Sequence, residues 1–466
     1  MSIPNAVNIL LSRLQNTPSP DGMGGIVTEV VPKSSDLAEN TVISVLMHDV
    51  LGRMQVLVPA NCLLDVDGLN SKIGRELQAL SPNDEASVRA KLSLAYLPAI
   101  PEITGFPCVV DHRVSSMMNV YVEAGDGENL VWFKNGSFAQ LLKKAREEQF
   151  SILIEDISAN ACDLEDDVVQ ITQAIKKFTY LRIKQRLDDT LELPPLPETA
   201  QKIIHLRADP EAGINELTDV VETDPSLSAQ VVSWASSSFY AAPGKVKSVH
   251  DAIMRVLGFD LVMNLSMGLA LGKTLQQPKE SPKGFLDYWQ QSVWMATASG
   301  ALVNTIPRDL RPGFGLTYLS GLLHNLGYLV LAHVFPPHFS LICRYLEANR
   351  HVDNSYIEHY LLGITREQMG SRLMHIWNLP EEVVIALRHQ KSSQYRGINS
   401  NYSGILYVAR NLLAERGIPL GAAQPIADDL YDHLGLDPDK ASEVIDDLIA
   451  AKDEILMMAG MLDPNG

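Results

Sequence analysis

Residues 321–331 read GLLHNLGYLVL, inside an apolar run that begins near Leu316 and ends near Phe335. The second half of the chain turns on the pair His324-Asn325 within it. A His-Asp pair at this place would offer an imidazole and a carboxylate to a divalent cation, and the cation could activate water against a phosphate ester. Asparagine keeps the shape of aspartate but lacks the negative charge that holds a hard cation. The stretch therefore reads as the architecture of a metal site kept for another use. On a helix, His324 has Ser320, Gly321 and Gly327 at i−4, i−3 and i+3, a face of small residues against which another backbone can pack. A buried histidine bonded to a carbonyl on that face is the plainer expectation. A pocket in which Gln291, His324, Asn325 and an arginine bind an anion or nucleotide is the sharper one.

Outward from this stretch, residues 190 to about 415 carry helical periodicity with Gly and Pro at the joints. The steps Asp209-Pro210 and Asp224-Pro225 each place an N-cap before a pre-organised first helical residue. Trp289, Trp294 and Trp377 fall on helical patterns and read as core. In LPEEVVIALRHQ, Pro380 opens a helix, Glu381 and Glu382 occupy its first turn, and Arg388 and His389 complement its negative end. The result is an all-α domain.

Four of these segments, LPPLPETAQKI, DPSLSAQVVSWASSSFY, SVHDAIMRVLGFD and GLLHNLGYLVL, together resemble an HDOD domain. This family is related to the HD metal-dependent phosphohydrolases and to cyclic-di-GMP phosphodiesterases. The resemblance implies a helical bundle used in bacterial signal transduction as an output or scaffold module. It also places the HD-type positions on Gln291, on the pair His324-Asn325, on Arg366 and near Arg410, with a further histidine near His389. Two neutral amides and two guanidiniums do not make a divalent-metal site. No metal, no cofactor and no phosphohydrolase reaction are expected, with a residual phosphohydrolase as an alternative. Gln291, His324, Asn325 and His389 remain binding candidates.

The first part, residues 1–150, reads as mixed α/β. Short β-rich runs appear at TVISVLMH, MQVLVP, PCVVD, NVYVEAG and NLVWFK, with turns at Asp49–Arg53 and at Gly125-Asp126. Helical patterns fall at Asp65–Ile73, at Ser81–Leu92 with Ser81 as N-cap and Pro82 at the first helical position, and at Ser137–Arg146. VPANCLLDVDGLNSKIG, PAIPEITGFPCVVD and VYVEAG resemble the YbaK/prolyl-tRNA editing domain, a family of aminoacyl-tRNA deacylases. The resemblance implies a hydrolytic lysine, whose position falls on Asn40, and a glycine-led loop for the amino-acid end, which falls on Ala95 before Pro98. Asn40 has no cation to donate, and Ala95 resists the positive φ of a tight loop. An editing-like domain without deacylase activity is expected, with an active deacylase using Lys33 from the preceding loop as the alternative.

Residues 151–190 form a connector. In DLEDDVVQITQAIKKFTYLRIKQRLDD, apolar Leu164, Val168, Ile171, Ile175, Phe178 and Leu181 recur at helical steps, with acidic residues early and basic ones later. A helix packed on the next domain is the plainer reading, and a coiled coil supporting a homodimer the sharper one. Residues 416–466 read as two or three short helices, one opened by Asp437-Pro438 with Val444, Ile445, Leu448 and Ile449 as its apolar stripe. They extend the all-α domain.

The composition of the 466 residues agrees with several domains: 46% are hydrophobic, enough to bury substantial cores. A net charge of −18 repels polyanions in bulk, which disfavours non-specific binding to nucleic acid or to an anionic membrane. Cys62, Cys108, Cys162 and Cys343 show no CxxC or Cys/His spacing and read as buried thiols of a reduced cytoplasm. The first fifteen residues lack the basic region and cleavage site of a signal peptide, and no uninterrupted apolar stretch of membrane-spanning length exists. The expectation is a cytoplasmic multidomain protein with signalling proteins as partners, a nucleotide or tRNA end at a vestigial pocket, and no membrane.

Overall fold

The computed structural model describes residues 3–16, 26–157, 164–183, 195–240 and 244–462. The described residues of the first part form ten strands, the longer of them rich in β-branched residues: β1 (Thr28–Pro32), β2 (Val42–Asp49), β3 (Gly52–Pro59), β4 (Cys62–Leu64), β5 (Gln78–Ala79), β6 (Cys108–Asp111), β7 (Val120–Glu123), β8 (Asn129–Phe133), β9 (Arg146–Glu148) and β10 (Ser151–Leu153). They build a five-stranded sheet in the order β5-β2-β3-β6-β9, a three-stranded sheet β1-β8-β7 and the pair β10-β4. The hairpin β2–β3 runs in register from Val42↔Pro59 to Asp49↔Gly52, whereas β3–β6 and β6–β9 are parallel. Gly52 at φ +124° supplies the turn, and the Asp49 carboxylate accepts from the Leu51 N–H at 2.8 Å.

Helix signals act here as expected. Asp65 caps Val66–Ile73, and Ser81 caps Pro82–Leu92 with Pro82 in its first turn. The helix expected over Ser137–Arg146 is instead a 3₁₀ turn, Ser137–Leu142, followed by β9, because Phe138, Leu141 and Leu142 are drawn into the core beside Phe133. A helix Asn5–Asn16 adds Val7, Leu10 and Leu11 to that core.

The chain divides into two compact units, one of Met1–Ser158, Pro282–Gly284 and Ser340–Tyr360, the other of Ala159–Ser281, Phe285–Phe339 and Leu361–Gly466. Residues 340–360, placed by the sequence reading in the all-α domain, therefore pack with the first part. The reason is the free edge of β4. The Asn349 side chain gives and takes a backbone-like pair of hydrogen bonds there, accepting from Leu64 N–H at 2.6 Å and donating to the Leu64 carbonyl at 3.0 Å. His351 Nε2 meets the Cys62 carbonyl at 2.9 Å, and Tyr345 donates to Asp65 at 2.6 Å. An edge that would otherwise expose unpaired amides is closed by side chains.

Among its described residues, the regular elements of the second unit are all helices. Its centre is a bundle of Phe259–Gly272, Tyr288–Thr305, Phe314–Leu323, Leu326–Val334, Arg366–Ile376, Glu381–His389 and Ser400–Glu415. Trp289, Trp294 and Trp377 are buried in it, and the Trp289 ring lies where a Cβ on Gly272 would stand. Phe314–Val334 is the stretch among the described residues long and apolar enough to cross a membrane, and 83% of its apolar window is buried within the protein. Asp224-Pro225 opens a helix, Pro225–Ala235, but Asp209 closes one, Glu198–Ala208; its carboxylate accepts from Glu211 N–H in the turn that follows. The tail forms three helices, Asp428–Leu434, Pro438–Ala450 and Lys452–Gly460. The second is capped by Asp437 and buries Ala441, Ile445 and Leu448, with Val444 and Ile449 at its margin.

The connector forms the helix Leu164–Ile183, and its described buried side chains are Asp167, Ile171 and Ala174. Val168, expected on the buried stripe, is instead 36% exposed. The helix turns a charged residue inward because that residue has a buried partner, described below. Leu164, Phe178 and Leu181 have side chains outside the described set. Cys62 and Cys343 are buried and Cys108 is half-buried, all as free thiols, while Cys162 lies outside the described residues.

Candidate functional site

The apolar run around GLLHNLGYLVL forms two helices with a break at its polar pair. Phe314–Leu323 ends with His324 as its cap, and Asn325, at φ −105° and ψ 13°, opens Leu326–Val334. The small residues allow close approach on both sides of the break. A Cβ on Gly321 would stand 2.7 Å from the Ala296 Cα, and one on Gly327 would stand 1.8 Å from the Arg366 carbonyl oxygen. The break is thereby clamped between the helices Tyr288–Thr305 and Arg366–Ile376.

That clamp brings three of the sequence-derived positions together. Asn325 Nδ2 donates to Gln291 Oε1 at 3.1 Å, and Arg366 Nη1 donates to Asn325 Oδ1 at 2.9 Å. Gln291 Nε2 in turn donates to the Leu286 carbonyl at 2.6 Å. Both ends of the Asn325 amide are thus occupied, its oxygen by a guanidinium. Asn325 and Arg366 are buried, and the guanidinium lies 5.1 Å from the centre of the Tyr328 ring.

His324 is held by the same backbone. Its Nδ1 is 2.8 Å from the Gly321 carbonyl oxygen. Burial pushes its pKa down to about 3, against the favourable Gly321 carbonyl, and the positive charges of Lys391, Arg366 and Arg410 push in the same direction as burial. The imidazole is neutral near pH 7. Arg410 belongs to this electrostatic neighbourhood, and it also donates to Asn411 Oδ1 and to the Ala422 carbonyl, each at 3.2 Å. His389 lies apart from the Gln291–Asn325–Arg366 chain: its ring stacks on Tyr395 at 3.8 Å, and burial, helped by Arg388, lowers its pKa to about 4.

A divalent ion is not suited to this donor set. The Gln291 and Asn325 oxygens already accept hydrogen bonds, and a guanidinium stands against the second. Among the described residues no group of three His, Cys, Asp or Glu side chains is placed to hold a metal.

Beside this network stands a cluster that the sequence reading missed. Arg388 makes a two-pronged ion pair with Asp167 of the connector helix, through Nε to Oδ2 and through Nη2 to Oδ1 at 2.8 Å. Gln368 Nε2 donates to the same Asp167 Oδ1 at 2.7 Å, and all three residues are buried. The dipole complementarity of Arg388 at a helix end and Asp167 in a first turn hid this pairing, since each alone has a sufficient local account.

In the first unit, Asn40 is exposed at the end of the 3₁₀ turn Ser35–Asn40. Ala95 and Pro98 lie in a pinned loop: the Ala95 and Tyr96 N–H groups donate to the Gly125 carbonyl at 2.9 and 3.1 Å, Arg89 donates to the Ala95 carbonyl, and Gln55 Nε2 donates to the Pro98 carbonyl at 3.2 Å. The left-handed residue of this stretch is Ser93, φ +54°, rather than Ala95. Lys33 reaches the loop. Its ammonium pairs with Glu123 and stands 5.6 Å from the Tyr96 ring centre, and that ring covers Gly127, where a Cβ would be 2.5 Å away.

Among the described residues, clefts elsewhere include two that the HD-type and editing-type positions do not line. One of about 980 Å³ includes Asp49, Asn70 and Arg75. One of about 680 Å³, in the second unit, includes Arg207, Asn264 and the starts of Phe259–Gly272 and Phe314–Leu323.

The family model for the HDOD domain matches residues 193–393. A crystal structure of a protein from Marinobacter aquaeolei VT8, provisionally assigned to signal transduction, is 48% identical. It superimposes with a TM-score of 0.88 over 97% of this chain and 99% of that one. Residues 193–393 of this chain form an HDOD domain. An HDOD domain protein of unknown function from Geobacter sulfurreducens shares the fold at 20% identity, with a TM-score of 0.52 over 65% of this chain and 100% of that one. An uncharacterized protein of Treponema pallidum (strain Nichols) is 23% identical over 212 residues, which span 44% of this chain and 38% of that protein's own length. The HDOD match contains Gln291, His324, Asn325, Arg366, Arg388 and His389, and leaves Asp167 and Arg410 outside its bounds.

Proposed function

We propose that this protein is a non-catalytic bacterial signal-transduction protein of the cytoplasm, in which the HDOD unit serves as a binding or scaffold module. The first unit would be an editing-like sensor of a small ligand or RNA end, and the connector helix would couple the two. The observation that carries this reading is the Arg366 guanidinium on the Asn325 oxygen. A fixed internal cation stands where a hydrolytic site would need an exchangeable one with open coordination positions. The Marinobacter relative, at 48% identity over nearly the whole chain, supports the signalling class. The test is affinity capture from bacterial extract with the full chain, identifying proteins and nucleic acids together. Recovery of a kinase or cyclase component supports the reading; recovery of tRNA alone moves the weight to the next one.

A second reading, an aminoacyl-tRNA deacylase with a displaced lysine, is favoured by one observation: Lys33 is brought to the Tyr96 end of the loop that the editing resemblance singles out. Hydrolysis of mischarged tRNA by the full chain, abolished in Lys33→Ala, would establish it. A residual phosphohydrolase has no comparable support in the side chains around His324.

A further inference from the structure

We propose that the connector helix Leu164–Ile183 is a releasable latch whose docking reports the state of the Gln291–Asn325–Arg366 hydrogen-bonded cluster. This rests on the reading of the HDOD unit as a binding module and names the element that would carry its output.

The geometry is two-faced. On Arg366–Ile376, Arg366 donates to Asn325 and, two residues on, Gln368 donates to Asp167 at 2.7 Å and to Gln170 at 2.9 Å. At the other helix, Arg388 pairs with Asp167 and, two residues on, Gln390 donates to the His324 carbonyl at 2.9 Å. Two positions along a helix point to nearly opposite sides. The same pair of helices therefore holds the cluster on one face and the connector on the other.

The path between the faces is stiff. Gly327, two residues after Asn325, lies so close to Arg366 and Gly370 that a Cβ would stand 1.8 Å from one carbonyl oxygen and 3.0 Å from the other residue's nitrogen. A displacement of Asn325 cannot be absorbed by a layer of side chains there, and it passes to the helix that carries Gln368.

Among the described side chains, the polar docking of the helix centres on Asp167. Beside Asp167, the described buried side chains of the connector helix are Ile171 and Ala174, while Val168 and Val169 are 36% and 54% exposed. A buried ion pair contributes little net stability against apolar packing but a great deal of registration. Docking thus depends on one geometry of Arg388 and Gln368 around Asp167.

Hydrogen exchange on the full-length protein tests this. Asp167→Asn should raise exchange of the amides in Leu164–Ile183 by roughly tenfold, while Tyr288–Thr305 keeps its protection. Arg366→Ala should raise it as well, by roughly threefold or more. Asn325→Asp strengthens the bond to the guanidinium but breaks the one to Gln291, which accepts from the Asn325 amide, and should change connector exchange in either direction. If Arg366→Ala fails to fold, the Asn325→Asp arm alone decides. Unchanged connector exchange in the cluster variants, or in Asp167→Asn, would overturn the proposal. Metal-dependent phosphodiester hydrolysis by the same protein would overturn the functional reading instead, and leave the exchange result standing.

Discussion

Two regions of this chain depart in opposite ways from the motifs they resemble. Around His324 the departure is inward: Gln291, Asn325 and Arg366 bond to one another, and a guanidinium closes a chain of amides in a buried position. Around Ala95 it is outward: Asn40 is exposed, and a half-exposed Lys33 leans over Tyr96 from a neighbouring loop. A buried site that loses its ion must supply internal partners for every polar group or be destabilised. A surface site can lose its lysine at little cost, because water solvates what is left. The first arrangement is self-complementary; the second leaves its polar groups in contact with solvent.

The contrast can be broken by substitution. Asp167→Ala leaves Arg388 buried without its counterion and should cost about 3–5 kcal/mol, read as a lower urea midpoint. Acid should act on the buried site next. His324 has a folded pKa of about 3 against an ordinary value of 6.5, so the unfolded chain binds its proton first. The stability it contributes is intact above pH 6.5 and is lost as pH falls toward 3, by about 2 kcal/mol at pH 5. His324→Gln should flatten that acid limb in urea titrations run from pH 7 to pH 4. At the surface site, Lys33→Ala removes a half-exposed ion pair and should move the midpoint by about 0.5 kcal/mol or less. A large loss there, comparable with that of Asp167→Ala, would erase the distinction between the two sites.

Much of this was legible in the sequence, for reasons that follow from range. Asp65, Ser81-Pro82 and Asp224-Pro225 cap helices through bonds spanning two or three residues, so the caps can be read locally. The same locality misled at Asp209-Pro210, where the aspartate closes a turn instead, and at Ser137–Arg146, where the core claims Phe138 and Leu142. The Gln291, Asn325 and Arg366 positions could be picked out because a motif brings distant residues into one frame. No motif covered Asp167 and Arg388, and each had an adequate explanation on its own helix. Nor could periodicity foresee that Asn349 and His351 would close the edge of β4, since edge pairing by side chains leaves no repeat in the sequence.

The reading turns on the Arg366 guanidinium, which sits on Asn325 among the HD-type positions where a hydrolytic site would hold a metal ion. The most direct measurement is elemental analysis of the purified full-length protein, together with calorimetric titration by manganese. The account predicts no stoichiometric manganese, iron or zinc and no saturable heat. One equivalent of tightly bound metal, lost in Asn325→Ala, would contradict it.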